Sequence, residues 1–332
     1  MRRLSLPIAA TILAAAGCNR DYPNPFASSN VTATPPPSAT IVYTSDAPMA
    51  GGPREVYAVG DDGSAPTRLT FCSGSGECDN VELAPGPDRK RVVVRRRAAA
   101  GANESLVFLD LSRGVEGQLL PASAQVSGID WSPTDEILVY SAAGEGGIED
   151  LYRMDLNGQN QRPLTATADL RERRPRIDST GSVAAYERIA AGGKAEIWIF
   201  QSSVNQARIT SGGPGSDPLP GTLYLVGSDA DPEFSPDGRS VVFRRLTGTG
   251  NGGLGTWDLL TTALDGSSPV VIASGPVYRG AADWSTKGIV FTEIDNATRT
   301  ARLVVVQPDG SGRKVPVSLD GGRSISFPRW LR

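Results

Sequence analysis

The 332-residue sequence predicts an all-β protein, a six-bladed β-propeller closed by pairing of the C-terminal strand with the first blade. Three observations predict this fold. One phrase of sequence recurs at steps of 46 to 57 residues, two further strand patterns follow each copy, and the two ends of the chain carry complementary parts of one repeat.

The recurring phrase is a short strand, a tight turn of the Ser-Pro-Asp-Gly type and a strand of β-branched and aromatic residues. Pro fixes φ and Gly allows positive φ, so this turn favours a hairpin. Five segments carry the phrase and a sixth is cut short by the end of the chain. Each copy has one large apolar residue before the turn, namely Leu83, Trp131, Ile177, Phe234, Trp284 and Trp330. We expect the aromatic members to pack between blades rather than to form a carbohydrate platform.

The remaining strands and the chain ends complete the blades. Segments such as Asp150 to Thr165 supply two more strands that turn at Asn157-Gly158, and four antiparallel strands per repeat make a propeller blade. The first blade begins at Ile41 with a second-strand pattern and lacks an innermost strand. The C-terminal SISFPRWLR supplies that strand, which completes six blades and removes an exposed sheet edge.

These phrases resemble the repeat of TolB-type, WD40-like propellers over about residues 39 to 331. The best matches are Pro232 to Gly238, Asp130 to Pro133 and the pair Leu151-Tyr152 to Leu164-Thr165. The resemblance implies an envelope protein whose propeller binds proteins or small ligands. The N-terminal domain that precedes the TolB propeller is not expected in this chain.

Residues 1–17 predict a lipoprotein signal peptide. A charged start is followed by an apolar stretch that is shorter than the roughly 20 residues needed to span a bilayer. The stretch ends in Ala15-Ala16-Gly17-Cys18, which resembles a bacterial lipobox and implies acylation of Cys18. A signal peptide that ends at an unrelated cysteine is the alternative.

Residues 18–38 predict a lipidated cysteine and a flexible tether, and residues 39–332 the propeller. The tether is rich in Pro, Ser, Thr and Ala and has too few apolar residues to pack. By resemblance to lipoproteins, Asn19 after the cysteine implies transfer to the outer membrane, with the protein facing the periplasm.

Cys72 and Cys78 predict a local disulfide, because both lie in one Gly/Ser-rich loop of an exported protein. A redox or metal pair is the weaker alternative. Two thiols supply half of a zinc site, and the chain has no His to complete it.

Composition narrows the functional classes. The absence of His excludes Ser-His-Asp and Cys-His catalysis and His-containing zinc sites, while an all-oxygen Ca²⁺ site stays chemically possible. A formal charge of -3 does not suggest binding of nucleic acid, which needs a basic surface. We expect a monomeric binding protein without a cofactor, and not an enzyme; an enzyme that uses Asp or Glu alone ranks last.

Alternating strand direction places the connections of the blades on two faces. One, the short-turn face, has minimal turns such as Asp265-Gly266 and Asp309-Gly310. The other, the long-loop face, carries the long segments Asp46 to Pro53, Cys72 to Cys78, Ala98 to Asn103, Ala142 to Gly147, Ser211 to Ser228 and Thr247 to Gly255. Partners are expected on the long-loop face, because loops vary while blades form the scaffold. Length drift in unimportant loops is the alternative.

A charged residue precedes the large apolar residue of every repeat. In blade order these candidate channel residues are Arg329, Glu82, Asp130, Arg176, Glu233 and Asp283. They form either a polar channel mouth that holds a cation or ligand, or a belt of salt bridges. The sequence favours the belt, because four acids and two arginines leave a small net charge and a metal site needs acids that converge on one point.

The sequence therefore favours a membrane-anchored envelope lipoprotein whose propeller is a protein-binding scaffold. The alternative is a propeller that binds a small ligand, a glycan or Ca²⁺ at its channel mouth.

Overall fold

In a computed structural model of the chain, the described residues form twenty-four strands in six four-stranded antiparallel sheets. The structure describes residues 34–71, 79–97, 104–121, 125–144, 147–267 and 269–331. In these ranges, no helix has the length and hydrophobicity needed to cross a membrane. The predicted all-β class and the six blades are confirmed.

Blades 2 to 6 follow one another along the chain, each from its innermost to its outermost strand. Blade 1 takes its innermost strand from the C-terminal end of the chain. Blade 1 consists of β24 (Ile325–Trp330), β1 (Ile41–Ser45), β2 (Glu55–Val59) and β3 (Thr67–Arg68). Blade 2 consists of β4 (Asp79–Pro85), β5 (Arg91–Arg97), β6 (Glu104–Asp110) and β7 (Val115–Leu120). Blade 3 consists of β8 (Val126–Trp131), β9 (Ile137–Ala143), β10 (Glu149–Asp155) and β11 (Arg162–Pro163).

The second half of the ring repeats this plan. Blade 4 consists of β12 (Leu170–Ile177), β13 (Ala184–Ala190), β14 (Ala195–Ser202) and β15 (Asn205–Arg208). Blade 5 consists of β16 (Asp229–Phe234), β17 (Ser240–Gly248), β18 (Thr256–Ala263) and β19 (Val270–Ala273). Blade 6 consists of β20 (Tyr278–Ser285), β21 (Gly288–Asp295), β22 (Thr300–Val306) and β23 (Lys314–Leu319).

The two ends of the chain close the ring as predicted. Strand β24 pairs with β1 in antiparallel register, with Trp330 opposite Ile41. The Leu331 amide donates to the Thr40 carbonyl oxygen at 2.8 Å and extends the pairing beyond the strand. Blade 1 is therefore built from both ends of the sequence, and unfolding of either end opens the ring.

The core consists of clusters shared by neighbouring blades. Trp131 of blade 3 packs with Val93 of blade 2, and Trp330 of blade 1 packs with Val290 of blade 6. Because each sheet is hydrophobic on both faces, no blade buries its apolar surface without its neighbours. The aromatic residues of the repeat are therefore core residues.

Turns on the short-turn face also hold adjacent blades together. Gly310, between β22 and β23, has a φ of +82°, and a Cβ at this position would lie 2.6 Å from the Ile272 carbonyl oxygen of blade 5. Only Gly combines this backbone conformation with so close an approach. The Asp309-Gly310 turn thus serves both a hairpin and a blade contact.

Candidate functional site

Every innermost strand has an irregularity in its pairing just before the charged residue of the repeat. At three of these places a non-Gly residue has positive φ, namely Arg174, Asp231 and Phe327. A β-bulge bends its strand and re-aims the side chains that follow. The bulges precede the charged side chains that meet inside the ring of blades.

The six charged residues predicted from the repeat come together and are all buried, with at most 5 % of their surface exposed. Arg329 of blade 1 is the most connected member. Its Nη1 lies 2.6 Å from Glu233 Oε2 and its Nη2 lies 2.6 Å from Asp130 Oδ1. Its Nε lies 3.9 Å from Asp283 Oδ2.

Arg176 of blade 4 completes the arrangement from the opposite side of the ring. Its Nη2 lies 3.1 Å from Glu82 Oε1, and its Nε lies 3.6 Å from Glu233 Oε2. Glu233 is therefore shared by both arginines. We call these six residues the axial ion-pair ring.

Two carboxylates of this ring also connect successive blades. Asp130 of blade 3 accepts the Ile177 amide of blade 4 at 2.8 Å, and Asp283 of blade 6 accepts the Trp330 amide of blade 1 at 2.5 Å. The second bond fixes the closing strand. The axial ion-pair ring therefore contributes to closure as well as to charge balance.

The neighbouring carboxylates keep Arg329 charged. Burial alone would lower the pKa of Arg329, but the carboxylates of Glu233, Asp283 and Asp130 outweigh it and raise that pKa above its ordinary value. Arg329 and Arg176 bind oxygens of Glu82, Asp130 and Glu233 that a cation would otherwise need. In the described part of the chain, no three carboxylates or cysteines are grouped to hold a metal ion.

A second group of buried charges was not predicted from the sequence. Asp231 contacts Arg244 and lies 2.6 Å from Arg174 Nη1. Burial would raise the pKa of Asp231, but the two arginines outweigh it and lower that pKa. Two of these charges could have been recognised in the sequence, because Arg174 and Asp231 each directly precede the Pro of their repeat.

Glu187, whose Oε1 lies 3.5 Å from Arg174 Nη1 of this group, anchors the long loop between blades 4 and 5. The Tyr224 hydroxyl donates to Glu187 Oε2 at 2.9 Å, and the Tyr224 ring packs edge-on against Trp257 at 5.3 Å. Gly213 and Gly227 close the base of the loop by a backbone hydrogen bond of 2.7 Å. The loop is therefore a structured part of the long-loop face.

Large apolar side chains are exposed on that face. In the described ranges they are Met49 (68 % exposed), Phe71 (40 %), Leu223 (43 %) and Leu254 (38 %). Leu223 is adjacent to Tyr224, and the Leu254 carbonyl accepts the Trp257 indole N–H at 3.1 Å. Ordered aromatic residues thus support two of these tips. We call the four residues the loop-tip residues.

The short-turn face has a cavity of about 310 Å³ over the axis, with aromatic and hydroxyl-bearing walls. Its lining includes Phe234, Trp284, Trp330, Ser179, Ser235 and Ser285. A pit of about 30 Å³ on this side is lined by Asp130, Asp283 and Arg329 of the axial ion-pair ring. A small molecule fits the larger cavity, and the pit has room for about one water.

Cys18, Cys72 and Cys78 lie outside the described residues. The acylation of Cys18 and the disulfide of the other two therefore stay predictions.

Comparisons with known proteins match the fold. No protein-family profile and no curated protein matches the sequence. TolB from Acinetobacter baumannii is 16 % identical over 89 % of this chain and 67 % of its own, with a TM-score of 0.65. A putative TolB from Agrobacterium tumefaciens is 15 % identical over 89 % and 99 %, with a TM-score of 0.62. A structure of a nidogen/laminin complex matches at 11 % identity over 88 % and 98 %, also with a TM-score of 0.62. The fold is that of TolB-like six-bladed propellers.

Proposed function

We propose that this protein is an envelope lipoprotein, anchored in a membrane through acylated Cys18, whose propeller is a scaffold that binds another protein on its long-loop face. The loop-tip residues carry this proposal. Scattered apolar residues on a surface are ordinary, but here all four lie on or beside long loops of one face, and buried aromatic residues support Leu223 and Leu254.

The interior of the propeller supports the same function. The axial ion-pair ring pairs its arginines with its acids, so its charges serve blade closure. With no His for general base catalysis, a binding role accounts for the features of the chain better than catalysis does. A chain in a structure of a nidogen/laminin complex shares the fold, so such a propeller is found in a protein complex.

The test is affinity capture of the anchored protein from detergent-solubilised envelopes. A variant with Met49→Ser, Phe71→Ser, Leu223→Ser and Leu254→Ser is compared with the natural protein. We expect the captured partner to fall at least about tenfold, since truncation of a few interface anchors costs more than about 1.4 kcal/mol.

A matched control removes exposed valines elsewhere on the surface. The variant Val204→Ser, Val270→Ser, Val271→Ser and Val315→Ser changes side chains that are at least 42 % exposed and lie on the short-turn face or on outer strands. It should retain the partner. Equal recovery with both variants, at equal melting temperatures, would reject the long-loop face as the docking site.

A small ligand in the cavity over the axis is the second candidate, favoured by its aromatic and hydroxyl walls. Such a ligand would raise the melting temperature of the natural protein and of the loop-tip variant equally. A protein partner would stabilise only the natural protein.

A further inference from the structure

The path of the chain into the propeller is fixed by described residues. Ala39 is 1 % exposed and packs in a core cluster with Leu111 of blade 2. Arg89 Nη2 donates to the Ala39 carbonyl at 2.6 Å, and the Thr34 hydroxyl donates to the Leu111 carbonyl at 3.2 Å. The residues before β1, although part of the predicted tether up to Ser38, are held against the propeller from Thr34 onward.

All of these contacts lie on the short-turn face. Arg89 belongs to the turn between β4 and β5, and Leu111 follows β6. The Thr40 hydroxyl donates to Asp61 at 3.0 Å, in the turn after β2. A tether that begins at Cys18 therefore reaches the propeller on the face opposite the loop-tip residues.

The length of the tether limits how the propeller can turn. Thr34 is 16 residues after Cys18, and a flexible chain of 16 residues, which the sequence predicts here, would have a root-mean-square span of about 22 Å. A seven-residue strand is about 23 Å long, which is the approximate height of a blade. To present the long-loop face to the lipid, the tether would have to use its whole root-mean-square span on the height of the blade, whereas no such span is needed when the short-turn face lies toward the lipid.

We propose that the short-turn face lies toward the lipid surface and that the long-loop face is directed away from it, toward a protein that approaches from the aqueous side. This orientation depends on the proposed lipid anchor. It separates the two surfaces by function: one face is near the membrane, and the other is free for the partner.

The orientation is testable by energy transfer to labelled lipid. Ala297 and Ser311 are both exposed and lie at opposite ends of β22, Ala297 on the long-loop face and Ser311 on the short-turn face. Single variants Ala297→Cys and Ser311→Cys would carry a donor dye, in a Cys72→Ser and Cys78→Ser background that is first shown by circular dichroism to fold like the natural protein. The acylated protein is placed in liposomes that contain an acceptor lipid.

We expect transfer from position 311 to exceed transfer from position 297 by about twofold, because the labels differ in height by roughly 23 Å. Thirty added Gly and Ser residues between Ser29 and Asn30 should shrink the difference, since the root-mean-square tether span rises to about 37 Å. Equal transfer with the natural tether, or more from position 297, would overturn the orientation. A difference that persists with the long tether would overturn the tether as its cause.

Attachment through the lipid anchor is measured in a separate experiment. Flotation of the liposomes shows whether the protein is attached, and Cys18→Ser should abolish both attachment and transfer. If the natural protein does not float with the liposomes, the proposed anchor fails, whereas attachment with the wrong order of transfer rejects only the orientation.

Discussion

Deletion of Ile325 to Arg332 should abolish cooperative folding of the propeller. The deletion removes β24, the innermost strand of blade 1, and with it the fully buried Ile325 and Trp330. Loss of a buried Trp side chain alone costs about 3–5 kcal/mol, and whole domains are stable by only about 5–15 kcal/mol. Circular dichroism during heating should show no sharp transition.

A rearranged chain is the matched control for this deletion. Strand β24 runs antiparallel to β1 and ends beside Thr40, so residues 323–332 can be moved to a position directly before Ala39. This variant has the same blade 1 with a different connection and should melt cooperatively again. A truncated protein that melts like the full chain would show that closure by β24 is unnecessary.

The substitution Arg329→Met should destabilise the protein by about 3–5 kcal/mol, the cost of removing one partner of a buried ion pair. Arg329 faces Glu233, Asp130 and Asp283, and its loss leaves these buried carboxylates with less compensating charge. Arg329→Lys should recover little, because one ammonium cannot reproduce two separate guanidinium contacts. Urea unfolding at pH 7 gives the free energy of unfolding.

An exposed arginine provides the control. The Arg113 side chain is 73 % exposed and lies 3.8 Å from Asp110, so Arg113→Met should change the free energy of unfolding by at most about 0.5 kcal/mol. If Arg329→Met costs no more than Arg113→Met, the axial ion-pair ring does not stabilise the closed propeller.

The fold could be predicted from the sequence because its determinants are local and repeated. Each turn phrase specifies a hairpin. The segment at Ile41 lacks an innermost strand and the segment at Trp330 lacks the other three strands of a blade, so the sequence predicts that the two ends pair. The six positions of the axial ion-pair ring were found in the same way, because each precedes the large apolar residue of its repeat.

The pairing within that ring could not be predicted from the sequence. Neighbours in blade order suggest that Arg329 pairs with Glu82 and Asp283, yet its close contacts are with Asp130 and Glu233. Which acids it reaches depends on the width of the ring and on the bulges that aim the side chains. Both are products of how six twisted sheets pack together.

The second group of charges escaped prediction for a different reason. Its members come from two blades, with Arg174 in blade 4 and Asp231 and Arg244 in blade 5, and Tyr224 comes from a long loop without any repeat pattern. The backbone of Arg174 and of Asp231 has a positive φ, which is uncommon for residues other than Gly. The repeat sequence does not indicate this conformation. Only the packed blades bring these residues together.

We propose protein docking on the long-loop face and none on the short-turn face. Its most direct test is a photo-crosslinking amino acid placed singly at Leu254, on the long-loop face, and at Val204, on the short-turn face, in intact cells. We predict a covalent adduct with one discrete protein from position 254 and none from position 204. Adducts from position 204 together with none from position 254 would contradict the account.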